Sequence, residues 1–168
     1  DKVEIEGGTP EERRVFYTSL YRTYERMICL SEDGRYWSGF DKKVHDDEGV
    51  PFYTDDWLWD TYRATHPLRI LLDPVKEQQM LTSYLRMAEQ SPEGWLPTFP
   101  EVTGYTHRMN CSHTIATFAD AYAKGLSGFN LSAAYQAAKK TMAEKSYLPW
   151  TRRPKGVLSE FMDKEGYF

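Results

Sequence analysis

Cysteine, long apolar runs and clustered positive charge are all scarce in this 168-residue sequence. Its two cysteines, Cys29 and Cys111, are too few for a disulfide scaffold and belong to no Cys-x-x-Cys pair, so we expect free buried thiols. No apolar run reaches the roughly 20 residues that a membrane helix requires. The net charge of −4 and the short basic pairs argue against a nucleic-acid surface. Neither a membrane nor a nucleic acid is therefore an expected partner.

Aromatic residues are plentiful by contrast. They make up 15% of the chain, with 12 Tyr and 5 Trp, and 40% of the residues are apolar. That apolar content and the chain length suit one globular unit over residues 1–168. Aromatic rings offer flat apolar faces with polar edges, which suit both a core and the C–H faces of sugars.

Helical periodicity dominates the chain and predicts an all-α fold of antiparallel helical hairpins, with long loops gathered at one end. The turn-rich loop over residues 31–53 contains two candidate strands that could form a short β-hairpin. Capping residues, prolines and glycines set the helix limits. The predicted helices cover residues 10–29, 54–66, 73–92, 112–124 and 132–144, and the candidate strands cover 35–38 and 50–53.

The stretch over residues 53–68 is the most informative, because it combines two Trp, three Asp and an Arg in one predicted helix. Asp56 and Asp60 would lie one turn apart, where like charges repel by about a few tenths of a kcal/mol. A ligand or another element should compensate for that repulsion. Arg63 could hold the Asp60 carboxylate, although an Asp60–Arg63 surface ion pair would explain the same spacing. One helix face would carry four candidate substrate-binding residues: Asp56, Trp59, Asp60 and Arg63.

The connection after the third predicted helix supplies further candidates. It contains Glu101, Tyr105, His107 and Arg108, which could return to the end of the molecule where the 54–66 helix begins. The His107-x-x-x-Cys111-x-His113 spacing suggests zinc, but three ligands without a distant fourth are a weak pattern, and a histidine on an Ala-rich helix more often packs against the core. A solvated loop is the simpler explanation for Glu101.

An acidic loop precedes the aromatic stretch. Asp41, His45, Asp46, Asp47 and Glu48 offer the oxygen ligands that calcium prefers, but they lack the EF-hand pattern. A solvated acidic loop is the alternative, so the residues alone predict no metal site.

Five ordered segments carry a family resemblance. The sequence contains Phe-Tyr-Thr-Ser-Leu-Tyr at 16–21, Asp-Gly-Arg-Tyr at 33–36, Trp-Asp-Thr-Tyr-Arg-Ala-Thr-His-Pro-Leu at 59–68, Gly-Trp-Leu-Pro at 94–97 and Ala-Asp-Ala-Tyr-Ala-Lys-Gly at 119–125. Together they resemble the catalytic domain of family-92 glycoside hydrolases, the calcium-dependent exo-α-mannosidases. The resemblance extends from residue 9 to about residue 128.

The resemblance implies a secreted or periplasmic α-mannosidase, built from a β-sandwich and an (α/α)6 barrel, of which residues 1–168 form the first part of the barrel. It implies that Asp60 binds sugar hydroxyls of an α-mannoside glycan and that hydrolysis inverts the anomeric centre. The Gly-Asn-Asp-Asp and Glu-Gly-Asn-x-Trp motifs of the family are absent here. The catalytic acid, the base and the calcium ligands are thus expected outside this chain, which should be inactive alone.

Two other functions fit the same residues. One is a non-catalytic carbohydrate-binding or interaction module that keeps the helices and aromatic residues. The other is a different (α/α)6 glycosidase, such as a trehalase-like hydrolase.

Overall fold

Helices alternate with short antiparallel strand pairs in the computed structural model, which describes residues 2–106, 111–145 and 164–166. None of the described helices is long and apolar enough to cross a membrane. The helices are α1 (Pro10–Arg22), α2 (Leu58–Thr61), α3 (Thr65–Leu72), α4 (Pro74–Gln90), α5 (His113–Ala123) and α6 (Leu131–Glu144). The strands are β1 (Ile28–Cys29), β2 (Arg35–Ser38), β3 (Lys43–Asp46), β4 (Tyr53–Thr54), β5 (Pro100–Glu101) and β6 (Gly104–Tyr105).

Local signals explain where most helices begin. Thr9 and Glu12 form a reciprocal capping box at the start of α1, with Pro10 at the first helical position. Pro74 occupies the same position in α4, and the Asn130 side chain caps α6 by accepting the Ala133 amide. The predicted limits of α4, α5 and α6 agree with the structure to within two residues.

The first two helix predictions are wrong in extent. The helix predicted over 10–29 ends at Arg22, because β1 pairs with β4 and that pairing requires extended backbone at Ile28 and Cys29. The helix predicted over 54–66 is divided into a strand end, α2 and α3. The break falls between Thr61 and Thr65, so His66 and Pro67 lie in the first turn of α3 and do not interrupt a helix.

The strands form three two-stranded antiparallel sheets in the described residues, so the fold is helical with short strands and not all-α. The β2–β3 hairpin confirms one predicted strand at 35–38 and pairs it with a strand that the sequence did not predict. Only the end of the predicted 50–53 strand is extended, within β4. Strands of two to four residues depend on distant partners, so local propensity predicts them poorly.

The core surrounds α4, which packs against α3, α6 and β4. Tyr84 is completely buried, and Arg86 ties the 47–50 loop to the helix by donating to the Val50 and Asp47 carbonyl oxygens at 2.6 and 2.8 Å. Residues from several elements complete this core: Phe52, Leu58, Met80, Leu81, Leu85, Met87, Leu96, Phe118 and Phe129. The result is a rigid support beneath α2.

Candidate functional site

Trp59 and Asp60 project outward from α2. The inward positions of this four-residue helix are Leu58, which has no exposed surface, and Thr61, which is also buried. A helix places residues three apart on the same side, so the two positions between them must face away from the core. Trp59 is 42% exposed, and the Asp60 side chain lies at the surface beside it.

Trp59 contacts one ring of a stacked pair formed by His113 and Tyr62. The His113 imidazole at the start of α5 meets the Trp59 ring edge-on, with the centroids 5.2 Å apart, and stacks on Tyr62 at 4.1 Å. Burial, followed by the positive charge of Arg63, lowers the pKa of His113 from its usual value. His113 is therefore a neutral, flat support for the exposed indole at neutral pH.

The predicted brace between Arg63 and Asp60 is absent. Arg63 instead donates from Nε to the Tyr62 hydroxyl at 3.1 Å, and its guanidinium lies 5.5 Å from the Tyr62 ring centroid. Within the described part of the chain, the Asp60 carboxylate has no ion-pair or hydrogen-bond partner. Neither the brace nor the alternative surface ion pair is present, and Asp60 is exposed.

Asp56 does not share a helix face with Trp59, and this prediction is wrong. Asp56 precedes α2 and has no exposed surface. Its Oδ1 accepts the Trp57 amide at 2.8 Å, and its Oδ2 accepts the Thr61 hydroxyl at 3.1 Å. The repulsion expected from a surface Asp56–Asp60 pair is thus avoided, because Asp56 turns inward to charged and polar partners.

Those partners include His66, which lies at the end of the predicted 54–66 helix. His66 Nε2 lies 2.9 Å from Asp56 Oδ2, and His66 Nδ1 lies 2.7 Å from Glu77 Oε1. Tyr84 also donates its hydroxyl proton to Asp56. Hydrogen bonds and charge attraction from the two carboxylates raise the pKa of His66 to about 9, against the opposing effect of burial.

A second exposed indole lies at the start of α2. Trp57 is 42% exposed, and the Arg26 guanidinium lies 4.2 Å from its ring centroid. Arg26 Nη1 also approaches Asp55 Oδ1 at 2.9 Å, although the pair is not aligned as a hydrogen bond. These contacts hold the Trp57 ring at the start of the α2 arm, the segment of residues 57–61 that carries Trp59 and Asp60.

The strand pair β5–β6 lies against the entry to α2, as the sequence predicted for this connection. The Asp56 amide donates to the Pro100 carbonyl at 3.0 Å, and the Thr54 hydroxyl donates to the Glu101 carbonyl at 3.3 Å. The Glu101 carboxylate is half-buried and accepts the Thr106 hydroxyl at 3.4 Å. His107 and Arg108 lie outside the described residues, as does part of the predicted His107–Cys111–His113 zinc set.

Tyr105 faces a neighbouring cleft of about 330 Å³ and bonds to a buried lysine. Lys145 Nζ donates to the Tyr105 hydroxyl at 2.7 Å and to Thr98 Oγ1 at 2.8 Å. Burial lowers the pKa of Lys145 to about 8 and raises the pKa of Tyr105 to about 12. Lys145 therefore gives Tyr105 a fixed orientation at the cleft wall.

The described residues contain no cluster of three or more side chains that could bind a metal ion such as calcium. In the acidic loop, Asp41 pairs with His45 at 2.9 Å, and Asp47 is buried with its Oδ1 accepting the Gly49 amide. These carboxylates point to separate protein partners and do not converge, which fits the alternative of an ordinary acidic loop.

Comparison with known proteins identifies this fold. The family model for the glycosyl hydrolase family 92 catalytic domain matches residues 1–168. A search of curated proteins finds no match to the chain.

Solved structures agree with the family model. The family GH92 alpha-mannosidase BT3965 from Bacteroides thetaiotaomicron is 28% identical with a TM-score of 0.82, over 94% of this chain and 20% of that chain. Its complex with mannoimidazole is 30% identical with a TM-score of 0.78, over 89% and 19%. The inverting mannosidase BT2199 from Bacteroides thetaiotaomicron VPI-5482 is 31% identical with a TM-score of 0.79, over 99% and 22%.

The chain thus spans about a fifth of the length of these solved mannosidases. Its similarity to them covers nearly all of its own residues and includes the α2 arm and the elements that support it. On the match of the family model over residues 1–168, this chain belongs to glycosyl hydrolase family 92.

Proposed function

We propose that this chain is part of an exo-α-mannosidase and forms the wall of the pocket that holds a terminal mannose. The observation that carries the proposal is the α2 arm, where the exposed Asp60 carboxylate lies beside the exposed Trp59 ring without a partner in the described residues. The solved relatives support the substrate class, since they are mannosidases and one holds mannoimidazole.

The arm has the chemistry that a sugar requires. An ionised carboxylate accepts hydrogen bonds through two oxygens, so Asp60 can bind two adjacent sugar hydroxyls. The Trp59 ring can pack against the apolar C–H face of the same sugar. His113, which itself stacks on Tyr62, contacts that ring, so less conformational freedom is lost when the sugar binds.

Hydrolysis needs two catalytic carboxyl groups, and the family motifs that carry them are absent from this sequence. An inverting glycosidase keeps its acid and base about 6.5–9.5 Å apart so that a water molecule fits beside the anomeric carbon. We assign both groups to later parts of the parent protein, where the family motifs would lie, and the chain alone is then inactive. Glu101, Tyr105, His107 and Arg108 remain second-rank substrate-binding candidates.

The wider setting is also a proposal. Residues 1–168 form the first part of an (α/α)6 barrel, the parent protein adds a β-sandwich and the rest of the barrel, and it acts in the periplasm or outside the cell. The calcium of the family is held outside this chain, and no step of the chemistry here is assigned to it. The length difference from the solved relatives and the family match support this arrangement.

The test is a titration of the 168-residue chain with methyl α-mannoside, followed by ligand-observed NMR. We expect weak binding that Asp60→Ala abolishes while the circular dichroism spectrum stays the same. Asp120→Ala is the matched control, because Asp120 is a partly exposed helical aspartate on α5 that pairs with Lys124. Binding that survives Asp60→Ala would reject Asp60 as a ligand.

An activity assay tests whether the catalytic acid and base lie outside these 168 residues. The chain should release no nitrophenol from an aryl α-mannoside. Measurable turnover would show that the acid and base are present in these 168 residues and would overturn their assignment to the missing parts.

A further inference from the structure

The buried cluster beneath the α2 arm joins four ionisable side chains from separate segments. Asp56 precedes α2, His66 lies in α3, and Glu77 and Tyr84 lie in α4. Each of them is at most 1% exposed. Burial of this many ionisable groups costs free energy unless they are paired, so each of them must have a partner of matching charge or hydrogen bonding.

The geometry favours a protonated imidazole at the centre. Both ring nitrogens of His66 face carboxylate oxygens, at 2.7 Å from Glu77 and 2.9 Å from Asp56. A neutral imidazole has one N–H, so its second nitrogen would direct a lone pair at an anion, whereas an imidazolium donates to both. The Tyr84 hydroxyl already donates its proton to Asp56 and cannot also serve as the donor for His66.

The local charge balance leads to the same state. Asp56 and Glu77 contribute two negative charges, and protonated His66 contributes one positive charge. Arg69 on α3 is 2% exposed, donates to the Thr23 carbonyl at 3.1 Å, acts on Tyr84 through its charge and adds the second positive charge. With His66 neutral, the buried group would instead carry a net negative charge in a low-dielectric core.

Asp56 connects this cluster to the arm. One of its oxygens accepts the amide of Trp57 at the start of α2, and the other accepts the hydroxyl of Thr61 at its end. A four-residue helix is not stable by itself, so its orientation must come from such contacts. Trp59 and Asp60 lie between the two attachment points.

We propose that the Asp56–His66–Glu77 cluster positions the sugar-binding arm: the His66 imidazolium holds the Asp56 carboxylate, and Asp56 holds both ends of α2. His66 is thus a positioning residue that never touches the sugar. The mannose-related part of this role rests on the proposed function. The ordering of α2 does not, and it can be measured without any sugar.

The first measurement is the protonation state of His66. In a chain labelled with 15N-histidine, long-range NMR correlations should show both ring nitrogens of His66 protonated at pH 7, with the signal identified by its absence from His66→Gln. A neutral His66 ring at pH 7 would overturn the proposal.

The second measurement is the order of the arm. We expect His66→Gln to lower the backbone 15N order parameters of residues 57–61 and to raise the Kd for methyl α-mannoside roughly tenfold, because the sugar-binding groups lose their fixed geometry. His45→Gln is the matched control, because His45 also bonds an aspartate at 2.9 Å but is partly exposed and distant from α2 in the chain. Unchanged order of residues 57–61 in folded His66→Gln would overturn the proposal.

The two proposals fail separately. Failure of the wild-type chain to bind the mannoside, with the arm disordered in His66→Gln, would reject the proposed function and keep the positioning role. If His66→Gln does not fold, the wild-type chain carries the test, since the Trp59 indole N–H signal should shift with the His66 ring as it deprotonates above pH 8. A Trp59 signal that ignores the His66 titration would overturn the positioning role.

Discussion

His66 gives the stability of this protein a particular dependence on pH. Its pKa is raised from 6.5 to about 9 in the folded state, so the folded chain retains a proton that the unfolded chain releases above pH 6.5. The resulting stabilisation is complete below pH 6.5, declines between pH 6.5 and 9 and is lost above pH 9. Asp56 matters at acidic pH. Its pKa is lowered in the folded state, so the stability that it contributes is lost as the pH falls below 3.8 and the carboxylate becomes protonated.

We predict that the free energy of unfolding falls between pH 6.5 and pH 8, by at most about 1.4 kcal/mol per pH unit, because one proton is involved. Urea denaturation at several pH values in this range measures the slope. The window ends at pH 8 because Lys145 has the opposite effect on stability above that pH. Burial lowers the pKa of Lys145 from 10.5 to about 8, so above pH 8 the folded chain no longer has to bury a charged lysine and becomes more stable.

The same denaturation series has one control. His66→Gln should flatten the slope between pH 6.5 and 8. A wild-type slope of zero in this window would contradict the assignment of a raised pKa to His66.

At the scale of elements, α1 is held by its own cap more than by the core. Thr9 accepts the Glu12 amide, Glu12 accepts the Thr9 amide, and no residue of α1 is fully buried. We predict that Thr9→Ala lowers the hydrogen-exchange protection of α1 amides roughly fivefold, because the first turn loses its capping bonds. Protection of α4 amides should stay the same, and a matching loss there would show that α1 unfolds together with the core.

The turns of two hairpins pack against one another through glycine. A Cβ atom on Gly39 would collide with the backbone of Thr103 and Gly104, between β5 and β6. Lys42 Nζ reinforces this contact by donating to the Gly39 and Thr103 carbonyl oxygens at 2.6 Å each. The β2–β3 hairpin therefore helps to hold β5 and β6 against the entry to α2.

We predict that Gly39→Ala destabilises the chain by about 2 kcal/mol. The added methyl group would collide with the backbone of Thr103 and Gly104, and the collision can be relieved only by moving the two hairpins apart. Thermal denaturation measures the change. Gly128→Ala is a suitable control with a smaller expected loss, because its new methyl group meets only the flexible end of the Gln78 side chain. Equal losses in the two variants would contradict the proposed backbone contact.

At the scale of the whole molecule, large apolar residues remain uncovered on two surfaces. The groove between α5 and α6 is bordered by Tyr122, Leu131 and Tyr135, which are 60%, 44% and 64% exposed. On α1, Val15 and Tyr21 are 60% and 74% exposed. Such surfaces favour association, and in a parent protein further helices would cover them.

We therefore predict concentration-dependent self-association of the isolated chain, observed by sedimentation velocity. The double variant Tyr122→Lys and Tyr135→Lys should reduce it, because charge in the groove opposes apolar contact. Val44→Lys is a control at an exposed apolar residue on β3, outside the groove. A thermostable monomer at all concentrations would contradict the prediction.

Prediction from the sequence succeeded where structure depends on near neighbours. Pro74 and the Met80–Tyr84 periodicity predict α4, and Asn130 marks the start of α6. The environment of α2 could not be predicted from near neighbours. The partners of His66 are Asp56, Glu77 and Tyr84, which lie 10, 11 and 18 residues away in the chain. His113 likewise supports Trp59 from a distant helix, and no local pattern signals that contact.

By itself, the sequence determined the family resemblance, the main helices and the aspartate-rich aromatic segment, since motifs, caps and periodicity are properties of consecutive residues. Only the tertiary structure decided which aspartate is exposed to solvent. Asp56 is buried in an ionic cluster and Asp60 is exposed beside Trp59, although they are four residues apart. The reason is physical: burial and charge pairing depend on segments that meet only after folding.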